Sequence, residues 1–552
     1  MDLKAILEYE KTSPMIKQYI RTKLEYEDTI IFYRLGDFYE FFFDDAINMA
    51  KVLDLTLTGK DCGLDERAPM CGIPYHAAES YINKLISLGY KVAICEQTTD
   101  SKDKKSYKDL VKRDVVRIVT PGTVIDENLL DEKKNNYIAC IYQNNKIIGF
   151  SYLDITTGEF KTTQFDGEER YKSLNDILVR VMPAEVLCCT DEEFENSLPI
   201  RKLDLIAPFT NAKNLFYNEK EANEVLTKQF SANFKRLFGL TNMSNSIISC
   251  GALLKYITET QKRDLSHLNS ITKINNEKYM VIDINTRKNL EIMETIKDRR
   301  KKGSLIGVMD KTKTSMGARM LRSWIEQPLY DSKEINLRLD SVEELCGKLI
   351  LRDSLKELLN KFNDIERICG RISYGNFTPR DCLSLNNSLE LLPAIKNLIA
   401  NCNSNLIKQI YIEIGDFKDL TSKLKNAIID NPPALTTNGG FIKDGYSEEL
   451  DDYRTAYTKG KDWIIQYELK EKERTGIKNL KIGFNKVYGY YIEINKSSLM
   501  NVPINYSRKQ TVANNERFIT EELKQLEEKI LGAEENSIKL EQKLFNEIRS
   551  QL

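Results

Sequence analysis

The apolar residues of this chain change their spacing twice, and those two changes limit what it can fold into. Up to about residue 265, short strand-like runs alternate with helical ones; from about 266 the chain reads as almost wholly helical. A β-like interval at Gly476–Arg517 then interrupts the helices. At 552 residues, a chain with these switches cannot close around one core, and several domains are expected. Hydrophobic content of 41% and charged content of 30% suit a globular protein with much solvated helix. No apolar run approaches membrane-spanning length, and Met1-Asp2-Leu3-Lys4 opens no signal peptide, so no membrane contact is expected. Eleven Cys without a C-x-x-C pair point to reduced thiols in a cytoplasm, and Cys188-Cys189 read as core. Only two His make a His-based metal or triad site unexpected. A net charge of −1 leaves no uniformly basic coat, so any contact with a polyanion must come from local patches.

The most informative stretch is Phe32-Tyr33-Arg34-Leu35-Gly36-Asp37-Phe38-Tyr39-Glu40-Phe41-Phe42-Phe43. Ile30–Leu35 reads as a short strand that Gly36-Asp37 breaks. From Phe38 the spacing turns helical, through Phe42, Met49 and Leu53, with Asp37 as N-cap and Glu40 at the capping-box position. Two readings stand. The aromatics are α/β core and Glu40 serves the helix end, or Phe38 projects past that end, where a wedge into a base stack would sit. Around this stretch Ser13-Pro14 opens a helix to about Glu25. Leu53–Thr58 and Lys91–Glu96 read as strands, and Tyr81–Leu88 as a helix ended by Gly89. The run Ser101–Arg117 carries Lys102, Lys104, Lys105, Lys108, Lys112, Arg113 and Arg117, either as a solvated loop or as a phosphate contact. Thr120-Pro121-Gly122-Thr123 is a turn that ends the domain.

Next, Tyr137–Tyr142, Ile147–Asp154 and Gly158–Gln164 read as antiparallel strands, joined at Asn144-Asn145 and Thr156-Thr157-Gly158. Helix Leu174–Val181, strand Glu185–Cys189 and further helices follow. Beyond residue 266 the expected helices include Thr286–Ile296, Ser315–Trp324, Lys333–Cys346 and Leu355–Phe362, and the long Ile407–Ile428 and Ser447–Glu473. Between the first two, Lys297, Arg299, Arg300, Lys301 and Lys302 read as a solvated basic turn. Within Gly476–Arg517, Leu480–Phe484 and Tyr490–Asn495 form a hairpin-like pair around Lys486-Val487-Tyr488-Gly489. This interval holds seven cations against Glu493 and Glu516, a local excess of five positive charges. Exposed Lys and Arg beside Asn side chains suit phosphate oxygens and carry no base code. Glu521–Leu552 is one more charged helix.

The strings GDFYEFFFDDA (36–46), PMCGIPYHA (69–77), AICEQ (93–97) and VVRIVTPGT (115–123) closely resemble the mismatch-binding domain of the bacterial MutS family. The similarity continues through TRKNLEI (286–292), MGARML (316–321), NGGFIKDGY (438–446), ERTG (473–476), NKVYGYYIEI (485–494) and INYSRKQT (504–511). It implies a multidomain α/β plus α fold: an N-terminal mixed α/β domain, an RNase-H-like connector, and a long-helix core and lever domain with a small β-rich clamp. The expected boundaries are 1–118 for mismatch recognition, 125–262 for the connector, 266–446 for core and lever, 447–520 for lever tip and clamp, and 521–552 for the returning lever helix. Family members continue into an ATPase domain with a P-loop, and no G-x-x-x-x-G-K-[ST] occurs in these 552 residues. The resemblance therefore assigns ATP and Mg²⁺ to the complete family protein. No cofactor, no metal and no catalytic residue is expected in this chain, which reads as a sensor that stops before its motor and is not itself an enzyme.

The resemblance implies binding to double-stranded DNA with mispairs or small loops, as a homodimer and with a MutL-type repair partner. By string match, Phe38 stacks on the mispaired base and Glu40 hydrogen-bonds it. The physics suits this task, because a mispair unstacks at lower cost than a Watson–Crick pair and a flat apolar wedge reads that difference as deformation. A carboxylate against a polyanion is tolerated only where a displaced base offers it a hydrogen bond, so it penalises correct pairs. Tyr39 points elsewhere and reads as core; Met70 either lines the groove or is core. Expected backbone contacts on the clamp are Lys486, Lys496, Arg508, Lys509, Asn514 and Asn515. Two other classes remain: an RNase-H-like metal-dependent nuclease, for which Asp154 is the one acid well placed on a strand, and a helical scaffold without a DNA role.

Overall fold

The computed structural model describes residues 3–64, 66–98, 111–144, 146–188, 209–211, 218–263, 265–275, 278–433, 436–485, 489–511 and 514–552. The lysines expected at 102–108, Asn145, Cys189 and the turn Lys486-Val487-Tyr488 lie outside the described residues. The chain is a mixed α/β protein with helices and several sheets, in two compact units: Met1–Gly375 with Asn401–Gln409, and Asn376–Ala400 with Ile410–Leu552.

The first sheet holds β1 (Ile30–Leu35), β2 (Phe38–Phe42), β3 (Thr58–Lys60), β4 (Ala68–Pro74), β5 (Val92–Gln97) and β6 (Arg113–Val119), in the order β3-β4-β2-β1-β5-β6. β1 runs parallel to β5, and every other pairing is antiparallel. Its central strands are rich in β-branched and aromatic residues, which suit a surface packed on both sides. Helix Pro14–Glu25 covers one face, setting Ile16, Tyr19 and Ile20 against Ile31, Tyr33 and Phe42. Helices Phe43–Leu53 and Ala78–Ser87 cover the other, over Phe32, Phe41, Cys71 and Ile73.

Here the expected helix from Phe38 is overturned. Phe38–Phe42 is a strand, paired with β1 as Leu35↔Phe38 and Tyr33↔Glu40, and the helix begins only at Phe43. Gly36, at φ +60°, lets the chain reverse in a two-residue turn that leaves the next five residues extended. Asp37 and Glu40 therefore cap no helix, and the helical spacing of Phe38 and Phe42 is coincidental. Other boundaries also move. Asp54 ends its helix in the left-handed region (φ +58°), so the strand expected at Leu53–Thr58 starts only at Thr58. Ser13 precedes Pro14 as expected, but its side chain makes no cap bond.

The second sheet has β7 (Tyr137–Asn144), β8 (Ile147–Asp154), β9 (Glu159–Phe165), β10 (Glu185–Cys188), β11 (Phe209–Asn211) and β12 (Thr272–Lys273), in the order β11-β10-β7-β8-β9-β12. The first three form an antiparallel meander, while β10 joins β7 in parallel. Helix Ser244–Gln261 packs Ile247, Leu253 and Ile257 on one face, and helix Arg170–Val181 packs Leu174, Ile177 and Leu178 on the other. Two helices expected further on are shorter than their periodicity suggests. Thr286–Ile296 is helical only over Ile284–Asn289, because Glu291 turns left-handed (φ +47°) and its carboxylate accepts the Ile296 N–H at 2.7 Å. Ile407–Ile428 breaks into Asn405–Glu413 and Lys418–Ala427 around Gly415-Asp416.

In the second unit, helices Glu448–Thr475 and Glu521–Ser550 run 28 and 30 residues, capped by the Ser447 and Thr520 hydroxyls. Between them in sequence lies a four-stranded antiparallel sheet of β13 (Lys481–Asn485), β14 (Gly489–Asn495), β15 (Ser507–Thr511) and β16 (Asn515–Ile519), ordered β13-β14-β16-β15. The sequence reading found the first two strands and missed the last two. Ile464 and Tyr467 from the first long helix, Leu523 and Ile530 from the second, Ile492 and Phe518 from the sheet, and Leu480 just ahead of it share one core.

Candidate nucleic-acid interface

Because strand side chains alternate, β2 sends Tyr39 and Phe41 to the face under helices Phe43–Leu53 and Ala78–Ser87, and Phe38, Glu40 and Phe42 to the other. Phe42 is fully buried beneath helix Pro14–Glu25. Four residues nearer the turn, Phe38 is 48% exposed. The tip is nevertheless tied down. Tyr75 N–H donates to the Asp37 carbonyl at 2.9 Å, and Arg34 Nε donates to the Gly36 carbonyl at 2.5 Å. The same guanidinium lies 3.8 Å over the ring of Tyr75, itself 45% exposed. Beneath, Phe32 packs edge-on against Phe41 at 5.0 Å. Tyr39 is buried as expected; burial and the Glu96 carboxylate that its hydroxyl bonds push its phenol well above the usual range. An apolar ring is thus held outside its own core by a stiff hairpin.

Glu40 sits opposite Gly72 in the β2–β4 ladder, where a Cβ would come within 3.2 Å of the Tyr39 carbonyl and 3.5 Å of Glu40 Cγ. The missing side chain leaves room for the carboxylate, which meets Lys60 Nζ at 2.5 Å. Lys60 also stands 5.4 Å over the ring of Phe42. The structure thus brings Phe38 and Glu40 to one face and gives Glu40 a cation. Met70 belongs to strand β4 and not to a loop; it pairs with Phe42 and is half-buried against the core. That places it about 13 Å along the strand from Phe38, so it does not join the tip. Sequence reasoning missed Arg34, Lys60 and Tyr75, since only the strand register brings them near. Tyr75 lay unread inside the GIPYHA string.

Arg113 and Arg117, at the end of the expected basic run, are both buried. Arg113 Nε donates to the Arg34 carbonyl at 2.8 Å and Arg117 Nε to Gln261 Oε1 at 3.2 Å, so both serve packing and offer nothing to a phosphate.

On the second basic surface, Lys496, Arg508, Lys509 and Asn514 are exposed. Part of the positive excess is already answered: Arg508 pairs with Glu516 at 2.8 Å and Arg517 with Glu493 at 3.2 Å. Asn515 Nδ2 donates to Glu493 at 2.7 Å, so its amide is engaged within the sheet. The Asn514 carbonyl accepts the Lys496 N–H at 3.2 Å. Phe484, 48% exposed and 4.9 Å from the Tyr490 ring, adds an aromatic that sequence reasoning did not single out. At the base, burial alone would raise the Glu471 carboxyl, but hydrogen bonds from Arg474 and Tyr506 outweigh it and hold the group below the usual range.

A many-domained mixed α/β chain with an exposed aromatic hairpin tip and a small basic sheet between two long helices is the class these features define. Residues 13–128 match the family description MutS domain I, 136–269 match MutS domain II and 285–552 match MutS domain III, and the chain belongs to the MutS family. Proteins described as "DNA mismatch repair protein MutS" are similar along nearly all of it. The one from Alkaliphilus oremlandii is 47% identical over 545 residues, 98% of this chain and 62% of its own length. That from Lachnoclostridium phytofermentans is 47% identical, covering 98% of this chain and 57% of its own length. That from Caldanaerobacter subterraneus subsp. tengcongensis is 46% identical, covering 98% and 61%. The chain thus spans about three fifths of the length of these relatives.

Proposed function

We propose that this chain recognises mispaired or looped duplex DNA for mismatch repair. Phe38 enters from the minor groove and stacks beside the mispair, Glu40 accepts a hydrogen bond from the displaced base, and the clamp sheet grips phosphates. The observation that carries this reading is a phenylalanine held 48% exposed at the tip of a fully packed sheet, with a carboxylate two residues on along the same face. An exposed ring costs a folded protein apolar burial, and stacking on an opened base step returns about 1–3 kcal/mol. Lys60 keeps Glu40 paired until a base replaces it, which lowers the cost of bringing a carboxylate to a polyanion.

Membership of the family supports the rest of the reading. The chain works in the cytoplasm as a homodimer around a kinked duplex and hands over to a MutL-type partner. ATP and Mg²⁺ act in the complete family protein, outside these residues, and this chain by itself turns nothing over. On the clamp, Lys486, Lys496 and Lys509 are the phosphate contacts, with Arg508 a weaker one because Glu516 already holds it.

The nuclease reading loses its main acid. Asp154 is fully buried and takes hydrogen bonds from Asn135 at 2.9 Å, Asn136 N–H at 3.2 Å and Thr156 N–H at 2.8 Å, the pattern of a structural strand-end carboxylate. Among the described residues no group of three or more His, Cys, Asp or Glu is placed to hold a metal ion. Fluorescence anisotropy with a G·T-containing duplex and its matched counterpart tests the proposal across a salt series. Tighter, salt-dependent binding to the mispaired duplex is expected. Absence of salt-dependent binding would favour a scaffold, and Mg²⁺-dependent cleavage would restore the nuclease.

A further inference from the structure

In the first unit a cavity of about 450 Å³ opens between the end of helix Arg170–Val181 and the segment 284–306. Its walls are of two kinds. Val179, Met182, Met293, Ile296 and Ile306 form an apolar side, and Arg287, Lys288, Arg299 and Arg322 a cationic one. Glu294 is the one carboxylate among the described lining residues. Two further cations at the rim, Lys134 and Lys301, already pair with Asp131 and Asp310.

Behind the cationic wall, three guanidinium groups converge on one carboxylate. Arg287 and Arg322 share a single half-buried carboxylate, Glu326, at 3.3 and 3.1 Å. Arg180 adds its field to the same carboxylate, yet its Nε and one terminal nitrogen are buried without a hydrogen-bond partner. Asp176 also lies within Arg180's field. Burial and the neighbouring guanidinium groups hold Arg287 below its usual range. Buried or half-buried cations that share one carboxylate are costly to hold together, and an anion from solution would relieve that cost. Guanidinium forks favour the planar oxygen pairs of phosphates.

The loop around the cavity is built in advance. Thr295 N–H donates to the Arg300 carbonyl at 3.0 Å, Ser304 Oγ to the Met293 carbonyl at 3.2 Å, and Arg299 holds a left-handed φ of +49°. Non-glycine residues persist in that conformation where the surroundings fix them.

We propose that this cavity binds a phosphate-bearing small molecule of nucleotide size, with the phosphate against Arg287, Lys288, Arg299 and Arg322 and the apolar body on Val179, Met182, Met293 and Ile296. A pocket of this volume falls in the range that encloses such ligands. The site is separate from Phe38 and from the clamp, has no P-loop, and requires no turnover of its ligand.

Calorimetry on the whole chain, without Mg²⁺, with pyrophosphate, ADP and adenosine tests this. Pyrophosphate and ADP are expected to bind, ADP more tightly, and adenosine not at all. Lys288 and Arg299 are both exposed, so Lys288→Gln/Arg299→Gln keeps the fold and the melting temperature. It should weaken ADP by about tenfold or more, as losing charge-assisted hydrogen bonds does. Absence of binding by both phosphates, or equal ADP binding by the variant, would overturn the site. ADP binding no tighter than pyrophosphate would overturn the role given to the apolar wall.

Discussion

The hairpin that carries Phe38 and the four-stranded sheet at Lys481–Ile519 are both small β-structures with an exposed outer surface, but they are supported differently. The hairpin belongs to a six-stranded sheet with helices on both faces, and Phe32, Phe41 and Phe42 behind the tip are fully buried. The small sheet has one core, shared with two long helices, and its outer surface carries charges beside the exposed ring of Phe484. One region displays a single apolar ring in a fixed place. The other displays cations on flexible stems, several already held by carboxylates. A ring tests the shape and stacking of what it meets and needs rigid backing, whereas a phosphate contact tolerates displacement because Coulomb forces fall off slowly. In the proposed function, discrimination therefore belongs to the hairpin, and sequence-independent affinity to the small sheet.

The largest effect that could break this contrast lies inside the hairpin sheet. Phe41→Ala, one strand position from the surface pair, should destabilise the protein by about 3–5 kcal/mol, as expected for emptying a packed aromatic site. Phe38→Ala should leave the thermal midpoint nearly unchanged. Calorimetric melting of both variants checks this, and similar losses in the two would make Phe38 ordinary core.

A smaller effect sharpens the other half. Lys509→Gln should weaken matched and mispaired duplexes alike and reduce the slope of log affinity against log salt by about 0.9, the value for one phosphate contact. Arg508→Gln should reduce it less, because Glu516 already neutralises part of that charge. Equal slopes for wild type and Lys509→Gln would remove the small sheet from the interface.

The smallest effect is one of pH, and its sign differs between the two regions. Glu471 is held below the usual carboxylate range by Arg474 and Tyr506, so its stabilisation is present at neutral pH and is lost as pH falls through its lowered value. Asp45, beside Tyr19 under the hairpin sheet, is raised by burial despite its Lys23 partner. Its cost is present at neutral pH and is relieved as pH falls through its raised value. Hydrogen exchange corrected for intrinsic rates should therefore show protection falling further over 477–485 than over 31–42 when the pH is taken from neutral to below the ordinary carboxylate range. The opposite order would refute the assignment of these two carboxylates.

Much of this was legible in the sequence, for reasons that differ by element. Strand Ile30–Leu35, the meander from Tyr137, and the helices at Ser315 and Glu448 carry local patterns strong enough to place them within a few residues. The strand Phe38–Phe42 was misread as helix because its aromatics happen to recur at helical steps, while the deciding fact, a positive φ at Gly36 closing a hairpin onto β1, is a pairing across the chain. The same holds for Lys60, twenty residues from Glu40 in sequence yet in contact with it, and for Glu516, which answers Arg508 only through the register of β15 and β16. Local charge counting thus overstated the free cations of the small sheet.

The most direct test of the central claim is the affinity ratio between a G·T duplex and its matched counterpart for wild type and Phe38→Ala, measured at one salt concentration. If Phe38 is the discriminating wedge, the variant keeps its fold and its matched-duplex affinity but loses about 1–3 kcal/mol of preference, the worth of one stacked base. An intact, folded Phe38→Ala chain that retains the wild-type ratio would contradict the claim.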